Sequence, residues 1–292
     1  MFARCLTATC VQIWLVVSGG AGCVDGAQFD GRAKGLDTLA LLEVNDITVR
    51  FGGIVALDSL SFDLEEGRIT ALIGPNGAGK TTLFNVISRI YEPTEGTVTY
   101  DGQDLLAMPA HGICRVGVYR TFQNLALWPT MTVLENVMVG AFTSTNTGFL
   151  KAAFRVMGAR AEEKATKERA YEILEELGLA DVAFHPASGL PFGTLKRVEI
   201  ARAMIGKPRL LMLDEPASGL THSEVDELSA MIRGLRDNHN VSILLVEHHM
   251  KMVMSVSEKV VVLNFGQKIA QGTPTEVQND ESVIEAYLGA SK

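Results

Sequence analysis

Gly74-Pro75-Asn76-Gly77-Ala78-Gly79-Lys80-Thr81-Thr82 is the stretch on which the reading of this chain turns. Its spacing is G-x-x-x-x-G-K-[ST]: the glycines let backbone N–H groups close around phosphate oxygens, and a helix starting at the end of the loop adds its positive dipole. Immediately before it, Arg68-Ile-Thr-Ala-Leu-Ile73 reads as a buried strand, and Leu83, Ile87 and Ile90 recur after it at helical spacing. Strand, glycine loop and helix together make a phosphate cradle. In such a cradle Lys80 reaches the β- and γ-phosphates of a nucleoside triphosphate, and the Thr81 hydroxyl ligates Mg2+.

Outward from that loop, a second element completes the chemistry. Leu210-Leu-Met-Leu-Asp-Glu215 is an apolar strand ending in two acids, at the carboxyl edge where open α/β sheets bind ligands. Asp214 is the expected Mg2+ ligand, and Glu215 is placed to polarise an attacking water as general base. Further strands are expected at 42–51, with one irregularity, at 60–64, at 96–100 before an Asp101-Gly102 turn, and at 241–247. Val225, Leu228, Ile232 and Leu235 mark an amphipathic helix, and residues 125–207 are mostly helical in pattern. Buried strands alternating with helices predict an α/β core with a largely parallel sheet, and the helical stretch reads as an inserted lobe.

From about residue 41 to the end, the chain resembles an ABC-transporter nucleotide-binding subunit. The resemblance rests on motifs in the family's order. Thr121-Phe-Gln-Asn124 resembles the Q-loop, implying that Gln123 senses Mg2+ and the attacking water and links the site to a membrane subunit. Ser218-Gly-Leu-Thr221 stands where the D-loop belongs. Val246-Glu-His-His249 implies His248 as the switch histidine contacting a γ-phosphate, with His249 a polar residue beginning a helix. Phe51, before Gly52-Gly53, stands where the family stacks an aromatic ring on adenine. The implied fold is a RecA-like P-loop ATPase core with a small antiparallel β region (about 41–66 and 96–102) and a helical subdomain (about 125–202). The implied ligands are ATP and Mg2+.

Two positions depart from the family pattern. The signature loop, Leu-Ser-Gly-Gly-Gln in the family, aligns with Leu190-Pro-Phe-Gly-Thr194, and Thr221 replaces the usual D-loop aspartate. Pro191 supplies neither a hydroxyl nor a backbone N–H, so Gly193 and the helix after it are left to face a partner's nucleotide. Two unequal ATP sites in a heterodimer are the expected consequence.

Arg120-Thr-Phe-Gln-Asn, Met131-Thr-Val-Leu-Glu-Asn-Val, Glu247-His-His-Met-Lys-Met-Val-Met254 and Val283-Ile-Glu-Ala-Tyr-Leu-Gly289 resemble the larger ATPase subunit of branched-chain amino acid importers. Urea-type importers and the lipopolysaccharide-export ATPase share much of this. The importer resemblance implies a second ATPase subunit, two integral membrane permeases and a periplasmic binding protein. It also implies a peripheral place on the cytoplasmic face of the inner membrane.

Composition agrees with a globular ATPase. The chain has 292 residues, 47% hydrophobic and 21% charged, with net charge −8, which argues against a general nucleic-acid binder. Of its four cysteines, Cys5, Cys10 and Cys23 precede the core and only Cys114 lies within it, so no disulfide framework is expected. Residues 1–40 read as an extension outside the core. A start assigned too far upstream, a tail, and an export or anchoring signal all remain open for it. A P-loop kinase or GTPase would lack the Gln123, Gly193 and His248 series, and a translation-factor or DNA-repair ABC protein would join two cassettes or carry a long coiled coil.

Overall fold

The computed structural model describes residues 40–121, 125–144 and 157–289. Two sheets carry the architecture. Strands β1 (Ala40–Phe51), β2 (Ile54–Glu65), β4 (Glu95–Tyr100) and β5 (Gln103–Asp104) form an antiparallel sheet in the order β2-β1-β4-β5. The second sheet has the order β10-β9-β3-β8-β7-β6, built from β3 (Ile69–Ile73), β6 (Val118–Arg120), β7 (Leu210–Asp214), β8 (Ser242–Val246), β9 (Lys259–Asn264) and β10 (Gln267–Gly272). All its neighbouring pairs are parallel except β9 with the edge strand β10.

Both faces of the parallel sheet are covered, as its unbroken apolar strands require. Alternate side chains divide between them. Leu72, Met212, Leu244 and Val261 pack with the antiparallel sheet (Leu42, Val44, Phe62, Leu64) and with helix α1 (Lys80–Ile87), which contributes Leu83 and Phe84. Leu211, Leu213, Ile243 and Leu245 face the other way. They meet Val225, Leu228, Ile232 and Leu235 of helix α5 (His222–His239), the four residues whose spacing predicts that helix.

Helices α2 (Val133–Val139), α3 (Met157–Glu176) and α4 (Phe192–Met204) belong to the lobe and share this second core through Val137, Leu174 and Val198. Beyond α5 lie α6 (Met250–Val256), α7 (Pro274–Gln278) and α8 (Glu281–Gly289).

Several expectations need correction. Helix α1 stops at Ile87 rather than running to Ile90, because Arg89 turns left-handed (φ 59°) and Ile90 is exposed. The lobe is less continuously helical than its pattern suggests. Leu125–Thr132 is irregular and folds around the fully buried Asn136. The Asn136 amide donates to the Trp128 and Thr132 carbonyls (3.1 and 3.0 Å), and its carbonyl accepts the Trp128 N–H (2.8 Å). One asparagine thereby satisfies backbone that a helix would otherwise have paired. The irregularity expected in β1 is present as register shifts on both sides of Ile47, with Asp46 at φ 50°. The Asp101-Gly102 turn has positive φ at both residues, as a two-residue hairpin turn demands.

Capping accounts for the threonine at 221. Thr221 is the N-cap of α5, and its N–H and hydroxyl donate to the Glu224 carboxylate (2.8 and 2.7 Å). Threonine and aspartate are both good caps, so the substitution keeps the helix start. The same box recurs with Thr132–Glu135 and Thr273–Glu276, and in each the threonine's hydrogen bonds hold the glutamate below its ordinary 4.5. A carboxylate with a depressed folded pKa stabilises fully above its unfolded value and loses that contribution as pH falls through the folded one. Thr221→Val should therefore lower the melting temperature at pH 7 by roughly 2–4 °C. Calorimetry should find the gap from wild type narrowing as pH falls below 4.5; a gap that widens there contradicts the capping account.

Candidate functional site

Because β3, β8 and β7 run parallel, their carboxyl ends reach one edge together. Leu72 pairs with Val246, and Val246 with Asp214, so the three lie level across adjacent strands spaced about 4.8 Å apart. Gly74–Gly79, Glu215 and His248 all follow within a few residues of that line. The sheet thus brings together three segments that are scattered along the sequence.

The phosphate loop is held tightly at its end. Gly79 is the N-cap of α1 at φ 102°, and a Cβ there would lie 2.7 Å from the Ala56 carbonyl oxygen, so only glycine fits. The turn between β9 and β10 braces the loop from outside, with Gly266 donating to the Ala78 carbonyl (3.0 Å) and accepting from Asp58 (3.0 Å). Lys80 is the first residue of α1 and is buried. Its ammonium donates to the Gly74 and Pro75 carbonyls at 2.6 and 3.0 Å, which sets it across the loop mouth. Burial lowers the Lys80 pKa, while the negative charges of Glu215 and Asp214 oppose that shift. Pro75 is partly exposed, Asn76, Gly77 and Thr81 are exposed, and Thr82 is half-buried on the first turn. The loop is therefore open at Asn76, Gly77 and Thr81.

Asp214 ends β7 and is buried. Arg120, at the end of β6, donates to its Oδ2 at 2.8 Å, and the same guanidinium donates to Asn85 Oδ1 on α1 (2.8 Å) and to Ser88 Oγ at the C-cap of α1 (3.3 Å). Arg120 also lies over the Phe84 ring, 5.3 Å from its centre. It ties the phosphate-loop helix to the acidic strand. Arg120→Met should leave the buried carboxylate with Lys80 as its remaining cation, a loss of about 2 kcal/mol or roughly 4–8 °C in melting temperature. A shift under 1 °C by scanning calorimetry would show the pair to be energetically neutral.

Glu215 stands in the left-handed region at φ 48°, with its N–H donating to the Val246 carbonyl (2.9 Å). His248 Nδ1 is 3.9 Å from Glu215 Oε2, and its imidazole is more than half exposed. A base and a histidine side by side over a phosphate cradle can orient water against a terminal phosphate. His249 is the N-cap of α6, as its place after the strand predicts.

Other expected residues fall elsewhere. Phe51 is exposed and meets Tyr91 edge-on at 5.2 Å. Gly193 is buried on the second residue of α4, where a Cβ would come within 2.6 Å of Glu224 Oε1. Gln123 lies outside the described residues. Arg120 and Glu247 stand inside sequence motifs without a role that the motifs themselves assign. A cation beside the Q-loop and an acid ending an apolar strand were the available signals.

The chain is similar to known proteins along most of its length. A family model described as ABC transporter matches residues 57–218, and one described as branched-chain amino acid ATP-binding cassette transporter matches residues 267–292. The chain is 46% identical over 249 residues to the high-affinity branched-chain amino acid transport ATP-binding protein BraF of Pseudomonas aeruginosa, a match covering 85% of this chain and 98% of that protein. LivG of Escherichia coli, of the same description, is 44% identical with the same coverage. Among solved structures, the ADP conformation of MJ1267, an ATP-binding cassette of an ABC transporter, superposes with a TM-score of 0.75 at 31% identity, covering 86% of this chain and 100% of that one. The chain belongs to the ABC transporter family, as one of its ATP-hydrolysing cassettes.

Proposed function

We propose that this cassette drives a branched-chain amino acid importer from the cytoplasmic face of the membrane. In this reading it pairs with a second ATPase subunit, docks on two permeases and is served by a periplasmic binding protein. The observation that carries the substrate class is the likeness to BraF and LivG along 85% of the chain, joined to the branched-chain cassette match at 267–292. Among the described residues, no helix is long and apolar enough to cross a membrane, which suits a peripheral subunit. Exposed Phe142 and Phe184 on the lobe offer apolar surface for docking to membrane subunits.

The loop N–H groups and the α1 dipole hold the ATP phosphates, and Lys80 neutralises them. Thr81 and Asp214 supply hard oxygen donors that suit Mg2+, with Gln123 the third residue of the expected set. When bound, the metal shields charge on the β- and γ-phosphate oxygens. Glu215 takes the proton of the attacking water, and His248 donates a hydrogen bond to the terminal phosphate. In α4 the first intrahelical bond runs from Leu195 N–H to the Pro191 carbonyl (3.1 Å), so the N–H groups of Phe192, Gly193 and Thr194 point out along the helix axis. They supply the anion-binding end for a partner's γ-phosphate, without the serine hydroxyl of the family pattern.

The test is reconstitution in proteoliposomes with branched-chain amino acid permeases, a second ATPase subunit and a loaded binding protein. Leucine, isoleucine or valine should stimulate ATP hydrolysis and enter the vesicles. Stimulation by urea alone, or transport of lipopolysaccharide, would overturn the substrate class.

A further inference from the structure

Among the described residues, Glu247 is the one fully buried acid at the edge that carries the site for which the mechanism above has no use. It follows β8 directly and precedes the switch histidine. Its carboxylate accepts three backbone N–H groups from two different chain segments. Oε1 takes the Ala217 N–H at 2.7 Å, and Oε2 takes those of His248 and His249 at 2.9 and 3.0 Å. A carboxylate out of water needs such donors, and backbone donors are rigid ones.

The two segments are those that leave the catalytic strands. Ala217 lies two residues beyond Glu215, and His248 and His249 follow β8. The conformation of Glu215 makes the first contact consequential. A non-glycine residue at φ 48° persists only where its surroundings hold it. Glu215 is held from both sides: its own N–H bonds to Val246, its carbonyl accepts the Ser218 N–H (3.1 Å), and the Ala217 N–H between them bonds to Glu247. The same carboxylate fixes the backbone that aims His248, whose Nδ1 stands 3.9 Å from Glu215.

We infer that Glu247 is a positioning residue which staples the Glu215 turn to the switch-histidine turn, so that general base and histidine keep one mutual geometry. The inference rests on the assignment of Glu215 and His248 to hydrolysis. Glu247 is fully buried and acts through the two backbones it joins.

Substitution chemistry separates this from a plain packing role. Glu247→Gln keeps the volume but replaces one acceptor oxygen with an NH2 group, so either the Ala217 side or the histidine side meets donor against donor. Glu247→Asp keeps the charge but shortens the arm by one methylene and spans only one side. Both variants should lose at least tenfold in kcat for ATP, while the Kd of a fluorescent ATP analogue, bound through the phosphate loop, stays within about twofold. Activities are to be normalised to nucleotide-binding-competent, full-length protein.

A kcat within twofold of wild type in both variants overturns the inference. So does a parallel loss of nucleotide affinity, which would mark general collapse of the site. If neither variant folds, the carboxylate serves folding alone and the inference also fails. Glu215→Gln and His248→Ala run alongside as controls. If they leave turnover intact, the catalytic assignment is at fault; if they stall it and the Glu247 variants do not, only the stapling role is wrong.

Discussion

Glu215→Gln should bind ATP and fail to turn it over. General-base assistance contributes about 10²–10⁴-fold to rates of this kind, and glutamine cannot accept the water's proton. The substitution leaves the phosphate loop untouched, since the Lys80 ammonium is held by the Gly74 and Pro75 carbonyls rather than by Glu215. It also removes a negative charge that acts on Lys80, so ATP affinity should hold or rise slightly. Rapid-quench single turnover with a parallel nucleotide-binding titration separates the two effects. A kcat within twofold of wild type would place the base elsewhere. A loss of binding equal to the loss of rate would mean instead that the left-handed turn at Glu215 had collapsed.

Much of this site could be read from the chain because its signals are local. The phosphate loop is contiguous within nine residues, and Gly74, Gly77 and Gly79 all take positive φ there. Asp214 and Glu215 follow an apolar run that reads as a buried strand once the phosphate loop has set the context. What could not be read this way depends on strand order. Nothing in the spacing of Arg120 and Asp214, 94 residues apart, says that β6 lies beside β7. Likewise the Glu247 carboxylate reaches Ala217 across 30 residues because β7 and β8 are neighbours.

The C-terminal hairpin escaped for other reasons. Lys259–Asn264 is an apolar run of buried-strand type that the reading, which ended its strands at Glu247, did not take up. Gln267–Gly272 is a half-exposed edge strand with little alternation to find, yet the turn between the two braces the phosphate loop. Asn136 illustrates a further limit. A polar residue on a helix reads as solvated, and only the folded loop around it reveals a buried amide making backbone bonds.

Lys80→Ala should weaken ATP binding by roughly 10- to 150-fold, the effect of about 1.5–3 kcal/mol for a hydrogen bond to a charged group. The structure argues for the upper part of that range. Lys80 is buried beside Asp214, and its desolvated charge acts in a medium where Coulomb interactions are stronger than in water. Without it, Asp214 and Glu215 face the triphosphate with one fewer cation between them. Lys80→Arg should not restore binding. A planar guanidinium is too broad for a position whose ammonium already lies 2.6 Å from one carbonyl and 3.0 Å from another, and it presents its donors in a fixed fork. Burial lowers the Lys80 pKa, so raising pH through that folded value removes the charge before it would leave an exposed lysine. Wild-type affinity for ATP should therefore decline on the alkaline side, and the Lys80→Ala protein should lack that decline. Isothermal titration across pH 7 to 10 checks both. Equal affinities for wild type and Lys80→Ala, or full recovery by arginine, would show that the loop N–H groups and the helix dipole hold the phosphates without the lysine.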